Sequence, residues 1–248
     1  MKEKLYTIPV NEAFDRGGEC PFCNLQKKLE SDILNYVLGP SYMEEDVRGE
    51  TDRLGFCKEH YRQMFQAGNR LGLALMLDTH LKKINGDLEK ILEEEEKNAA
   101  GKRSLFKKET GTSPFEEYEE TLKASCYACR RMEGRMDSYV DTFFHLWKTE
   151  PEFREKVKGG QGFCLEHFQR LLREGKQRLS AGDYRAFLEL LIPIEKENLK
   201  RVEEELDWFI QKFDYRFKDE PWKNSKDAVE RGILKVAAAH MGEPEKLQ

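Results

Sequence analysis

Eight residues constrain this chain more than any others. Cys20 and Cys23 enclose Pro21-Phe22, and Cys57 and His60 follow inside Gly55-Phe56-Cys57-Lys58-Glu59-His60-Tyr61. The order returns with Cys126 and Cys129 around Tyr127-Ala128, then Cys164 and His167 inside Gly162-Phe163-Cys164-Leu165-Glu166-His167-Phe168. Each set reads CxxC, a gap, then GFCxEH and an aromatic residue. The gaps run from 24 to 56 and from 130 to 163, and all six cysteines are consumed.

Ligands three positions apart can lie on one side of a turn and reach the same ion. Three thiolates and one imidazole form a common closed tetrahedral set for structural Zn²⁺, with a formal charge of −1 and no position left for water. The spacing therefore predicts two zinc ions per chain. One is held by Cys20, Cys23, Cys57 and His60, the other by Cys126, Cys129, Cys164 and His167, each quartet within its own half; quartets crossed between the halves are the alternative, because duplicated halves can swap ligands. Iron–sulfur ligation ranks below zinc. Ordinary buried cysteines would not need two quartets of the same order, and a disulfide framework would need an oxidising compartment.

The periodicity is helical throughout, and the fold class expected is all-α. Leu25, Leu29, Ile33 and Val37 step along one face before Gly39-Pro40, and Met132, Met136, Tyr139, Val140 and Phe143 repeat the pattern. Ser41-Tyr42-Met43-Glu44 and Thr149-Glu150-Pro151-Glu152 have the form of capping boxes for short helices that lead into the GFCxEH loops. Long helices follow, with seams at Leu77, Leu81, Ile84, Leu88 and Ile91, and at Leu199, Val202, Leu206, Phe209 and Phe213. Pro193 is expected to kink or interrupt the second of these.

The domain reading is two duplicated metal-binding helical lobes, 1–97 and 115–217, a polar linker at 98–114, and a C-terminal tail helix within 218–248. The linker carries Gly101, Gly111 and a modest basic cluster, Lys102, Arg103, Lys107 and Lys108. In the tail, Asn224 or Ser225 would cap a helix with Val229, Ile233, Val236 and Ala237 on its buried face, ended by Gly242. That helix is read as folding back over an apolar surface left between the halves. The competing reading is a partner surface built from Tyr215, Arg216 and Trp222.

Net charge is −5, so nothing pulls the whole chain toward nucleic acid or an anionic membrane. The N-terminus lacks a secretory signal, no apolar run is long enough to span a membrane, and a soluble cytoplasmic protein is expected.

The two quartets, with Lys212-Phe213-Asp214-Tyr215-Arg216, resemble an uncharacterised family of bacterial proteins, a domain of unknown function, over nearly the whole chain. The resemblance implies a bacterial origin and no established activity, and it supplies no catalytic residue.

Three functions compete. The first is a non-enzymatic binding or scaffold protein with zinc clips, whose partner is a protein. The second is a thiol–disulfide enzyme using CxxC, which would want a βαβ setting that is missing here. The third is a nucleic-acid-binding zinc protein, against which stand the long gaps and the interleaved acidic residues. His80 and His145 read as packing or surface residues. Glu59 and Glu166 read as solvated, since a residue one position before a helical ligand points away from it.

Overall fold

In the computed structural model residues 2–99 and 112–241 are described. The linker core with Gly101, Gly111 and its basic cluster, and the stop at Gly242, lie outside them. The described residues contain eleven α-helices and no strand, as the periodicity demands. No described helix is long and apolar enough to cross a membrane.

The chain opens with α1 (Lys2–Arg16), which the periodicity had not suggested and which carries Pro9 internally. Gly17 and Gly18, both at positive φ, turn it into α2 (Pro21–Leu38). Then come α3 (Glu45–Leu54), α4 (Lys58–Ala67) and α5 (Arg70–Ala99). After the undescribed segment follow α6 (Pro114–Ala124), α7 (Tyr127–Thr149), α8 (Pro151–Lys158), α9 (Leu165–Arg178), α10 (Ala181–Gln211) and α11 (Ala228–Ala237).

These helices form two compact units. One gathers the described residues up to Lys28 with those from Arg135 onward, and the other is Leu29–Gly134. The division falls inside α2 and inside α7. In the first unit the core is aromatic: Phe14, Phe22, Phe143, Phe153 and Phe163 meet at centroid distances of 4.9–6.3 Å. Edge and tilted contacts of this kind add to what ring burial alone contributes. The second unit buries Leu34, Val37, Val47, Met64, Leu73, Met76 and Tyr127 together.

Several local expectations are corrected. Ser41 does not cap a helix: Pro40 starts a 3-10 turn (Pro40–Met43), Glu44 is the N-cap of α3, and the Ser41 hydroxyl donates to the Tyr36 carbonyl. Thr149 still belongs to α7, its hydroxyl donates to the His145 carbonyl, and Glu150 caps α8. Both hydroxyls satisfy a carbonyl behind them instead of an amide ahead. The full capping box is at Ser113 and Glu116, where Ser113 starts α6. Helix α10 runs unbroken through Pro193, held on either side by buried Phe187, Leu191 and Ile194. The α5 seam is also displaced. Leu77 and Leu81 are exposed, and the buried face carries Leu73, Met76 and His80.

The tail helix exists, but Asp227 is its N-cap and its buried face is Ala228, Leu234 and Lys235, with Val229 and Val236 exposed. A buried lysine escapes any reading that counts it as polar surface. Helix α11 packs on α9 and α10 within the first unit. The aromatic stretch before it divides. Trp222 packs on Phe209 at 5.7 Å, while Tyr215 is 87% exposed. Lys212 is buried and donates to the carbonyls of Phe217 and Lys218 at 2.6 and 2.8 Å, fixing the turn between them.

Removing the residues after 218 should therefore destabilise the protein. Loss of the Leu234 burial alone costs roughly 1.5–3 kcal/mol. Thermal unfolding followed by circular dichroism should show a lower midpoint in the truncated chain. An unchanged midpoint would remove α11 from the structural core.

Candidate metal centres

Eight side chains converge on two points. Cys20, Cys23, Cys164 and His167 form one group, and Cys57, His60, Cys126 and Cys129 form the other. In each group the donor atoms lie within 4.8 Å of one another. The sequence named all eight donors, but the quartets are exchanged. Each CxxC meets the CxEH of the other half, and the expectation of quartets within a half is overturned.

Helix length is compatible with the exchange. At about 1.5 Å per residue, α2 and α7 carry the chain about 27 and 34 Å away from their CxxC, while α3 and α8 measure only about 15 and 12 Å. In each half the helix that leaves the CxxC is longer than the one that leads to the CxEH, so the CxEH need not return to its own CxxC. Both groups nonetheless lie inside a single unit, the first in one and the second in the other.

Every pair uses a helix N-terminus. Cys20 and Cys126 directly precede α2 and α7, and Cys23 and Cys129 sit in the first turns. Cys57 and Cys164 are the N-caps of α4 and α9, with His60 and His167 in the first turns. Cys164 Sγ also accepts the His167 amide N–H at 3.5 Å, which fixes the sulfur over the turn. The positive end of each helix dipole thus faces the sulfurs and favours thiolates.

In site 1, His167 Nδ1 lies 3.6, 3.5 and 3.1 Å from the sulfurs of Cys20, Cys23 and Cys164, and the last two sulfurs are 3.5 Å apart. In site 2, His60 Nδ1 lies 3.1, 3.3 and 3.5 Å from Cys57, Cys126 and Cys129, and Cys57 and Cys129 are 3.9 Å apart. A zinc tetrahedron with bonds of about 2.3 Å to sulfur and about 2.0 Å to nitrogen has S···S edges of about 3.8 Å and S···N edges of about 3.5 Å. The two groups fit that size, and either could hold a metal ion.

The glycine of GFCxEH is required on two counts. Gly55 and Gly162 have φ of +58° and +74°. A Cβ on Gly55 would stand 2.3 Å from His80 Nε2, and one on Gly162 would stand 2.7 Å from Glu195 Oε2. His80, read as a packing residue, also reaches the Asp52 carbonyl with Nδ1 at 2.6 Å. Tyr127 N–H donates to the Gly55 carbonyl at 2.9 Å, and the Ser125 hydroxyl donates to Leu54 at 2.7 Å, tying the second CxxC to the first GFC loop.

Site 1 is braced differently. Buried Lys235 donates to the carbonyls of Glu19, Gln161 and Phe163 at 2.9, 2.5 and 3.2 Å. Glu19 and Phe163 immediately precede Cys20 and Cys164, and Gln161 stands two residues before Phe163, so one ammonium ties together the two backbones that must meet. Glu195 Oε2 accepts the Phe163 N–H at 2.9 Å, and its burial raises the carboxyl pKa. Phe22 stacks on the His167 ring at 5.6 Å. At site 2, His60 Nε2 lies 3.1 Å from a Glu30 carboxylate oxygen, the contact that orients a metal-binding histidine. Glu59 instead bonds Arg62 and Gln63 at the surface, and Glu166 is exposed, as read from their spacing.

Burial opposes a charged His60, but hydrogen bonds with Cys126 and Glu30 overcome it and raise its pKa to about 10. Burial likewise opposes a charged His167, and Cys164 and Cys20 overcome it to reach about 10. Burial pushes the Cys126 thiol up, yet His60 and the backbone amides of Cys129 and Cys57 bring it down to about 6. Burial, followed by the charge of Cys126, raises Cys129, and the hydrogen bonds that Cys23 makes with Cys164, to which it donates, and with Cys20 raise Cys23.

A metal must displace those protons, because it binds thiolate and neutral imidazole. Metal binding near neutral pH should release at least two protons per site, from His60 and Cys129 in one and from His167 and Cys23 in the other. Affinity should rise with pH, less steeply above about 10 where His60 and His167 are already neutral, and at site 2 it should fall more steeply below about 6, where Cys126 also takes up a proton. Indicator-dye measurements in weak buffer check this; binding with no proton release would contradict it.

The model of a family of unknown function matches residues 1–243. No curated protein and no solved structure matches the chain.

Proposed function

The chain belongs to that family of unknown function (DUF6062), and we propose that it is a non-enzymatic scaffold whose two helical units are each clipped by one structural zinc ion. The observation that supports this best is site 1. Three sulfurs and an imidazole nitrogen surround one point, and Cys20, Cys23, Cys164 and His167 are each at most 2% exposed. Four protein donors fill a tetrahedron, and their burial excludes a water or substrate as a fifth partner. We read residues 1–97 and 115–217 as two copies of one ancestral sequence whose ligand pairs have exchanged partners.

The donor set favours zinc over an iron–sulfur cluster. The spacing within each group suits a single ion, and a cluster would hold its ligands farther apart. We place the protein in the cytoplasm, where thiols stay reduced, and take its partner to be a protein. The net charge of −5 gives nucleic acid no general attraction. A thiol–disulfide enzyme is the second reading, favoured only by the position of each CxxC at a helix start.

Purified protein should contain two zinc equivalents per chain by elemental analysis. Under native conditions the site 1 thiols should react with a thiol reagent only after chelation, and chelation should lower the thermal midpoint. Disulfide exchange catalysed by the metal-replete protein would favour the redox enzyme. A chain purified without metal, with freely reactive buried thiols, would defeat the zinc reading.

A further inference from the structure

The two sites differ in one respect that their shared motif does not predict. In site 1 every ligand is buried. In site 2 His60 and Cys126 are buried, but Cys57 is half-buried and Cys129 is exposed. The two more accessible sulfurs face each other at 3.9 Å. We propose that site 2 is an oxidant-sensitive, releasable metal site, in which a peroxide joins Cys57 to Cys129 and frees the ion while site 1 keeps its own. This rests on the metal reading of both clusters.

Access, and not proximity, makes the difference. Cys23 and Cys164 in site 1 are closer, at 3.5 Å, but no oxidant can approach sulfurs that lie beneath the protein surface. A peroxide must approach along the line of its O–O bond to meet a thiolate lone pair, and the exposed sulfur of Cys129 permits that. Cys57 is the N-cap of α4 with an extended backbone, so its side chain can turn toward a partner while its carbonyl keeps the first bond of the helix, from Tyr61 N–H. The bracing differs in the same sense. Lys235 ties both ligand-bearing backbones of site 1 together, whereas site 2 relies on a Tyr127–Gly55 backbone bond and the Ser125 hydroxyl.

The chemistry closes with hydrogen peroxide as the oxidant. The Cys129 thiolate attacks one peroxide oxygen, the O–O bond breaks, and hydroxide departs to leave a sulfenic acid. The Cys57 thiolate then attacks that sulfur, the S–O bond breaks, and a second hydroxide departs as the disulfide forms. Two electrons pass from the two sulfurs to the peroxide, and two protons from solvent convert the hydroxides to water. The ion is left with Cys126 and His60 alone, a set too small to retain it against solvent, and it leaves. A dithiol reductant reverses the oxidation and restores all four donors.

The test uses the full chain loaded with zinc. Metal content is measured first, then hydrogen peroxide is added with a chromogenic zinc chelator present. Desalted protein is analysed for residual metal and for disulfides by non-reducing peptide mapping. The expected result is release of one of the two zinc equivalents, a Cys57–Cys129 disulfide, and Cys20, Cys23 and Cys164 still reduced. Reductant and zinc should then restore two equivalents. Release of both ions together, prior loss from site 1, or no release under peroxide that oxidises free glutathione would overturn the inference and leave the zinc reading intact. A chain with no zinc at the outset would overturn the zinc reading itself, and this inference with it.

Discussion

Each unit is held by the meeting of two short pairs of residues, every pair standing three positions apart at the start of a helix. Cys23 and Cys164 are 141 positions apart, and Cys57 and Cys129 are 72 apart. The second closure is nested inside the first. Drawing together loops of this length costs about 4 kcal/mol each by the logarithmic dependence on length. Structural zinc contributes an apparent ~10–16 kcal/mol near neutral pH, so an ion held in each group would stabilise its closure with a margin.

The rest of the fold serves these meeting points. Positive-φ glycines bring the GFC loops around, and their missing side chains leave room for His80 in one unit and Glu195 in the other. The first unit adds a buried ionic cluster. Glu19 accepts two hydrogen bonds from Arg201 at 2.8 and 2.7 Å and pairs with Lys235 at 3.4 Å. Such a cluster is costly to desolvate unless its hydrogen bonds are made, and Lys235 makes three to backbone carbonyls. Its effect is to fix the two backbones of site 1. The second unit has the Glu30–His60 pair, which orients one ligand without enclosing the site.

How much of this was legible in the sequence follows from what each level of pattern encodes. The all-α class and the eight donors were legible, because helical periodicity and ligand spacing are local. The pairing of the donors was not. Two copies of CxxC and CxEH look the same whether partners are kept or exchanged, and the choice is made by tertiary packing that local spacing does not encode. Glu30, Glu195 and Lys235 act across 30, 32 and up to 216 positions, and no local signal marks them. Lys235 was hidden further by its charge, which placed it on the wrong face of α11. The capping boxes at Ser41 and Thr149 failed for a simpler reason: each hydroxyl had a carbonyl in the preceding turn within reach.

The exchange of partners is the centre of this account, and paired cysteine substitutions test it directly. Cys20→Ser with Cys164→Ser removes two ligands from one site if partners are exchanged, and one ligand from each site if they are not. Elemental analysis of that double variant should find one zinc per chain retained. The complementary variant, Cys20→Ser with Cys57→Ser, should lose both. The opposite outcome, both ions lost from the first variant and one kept by the second, would contradict the exchanged arrangement.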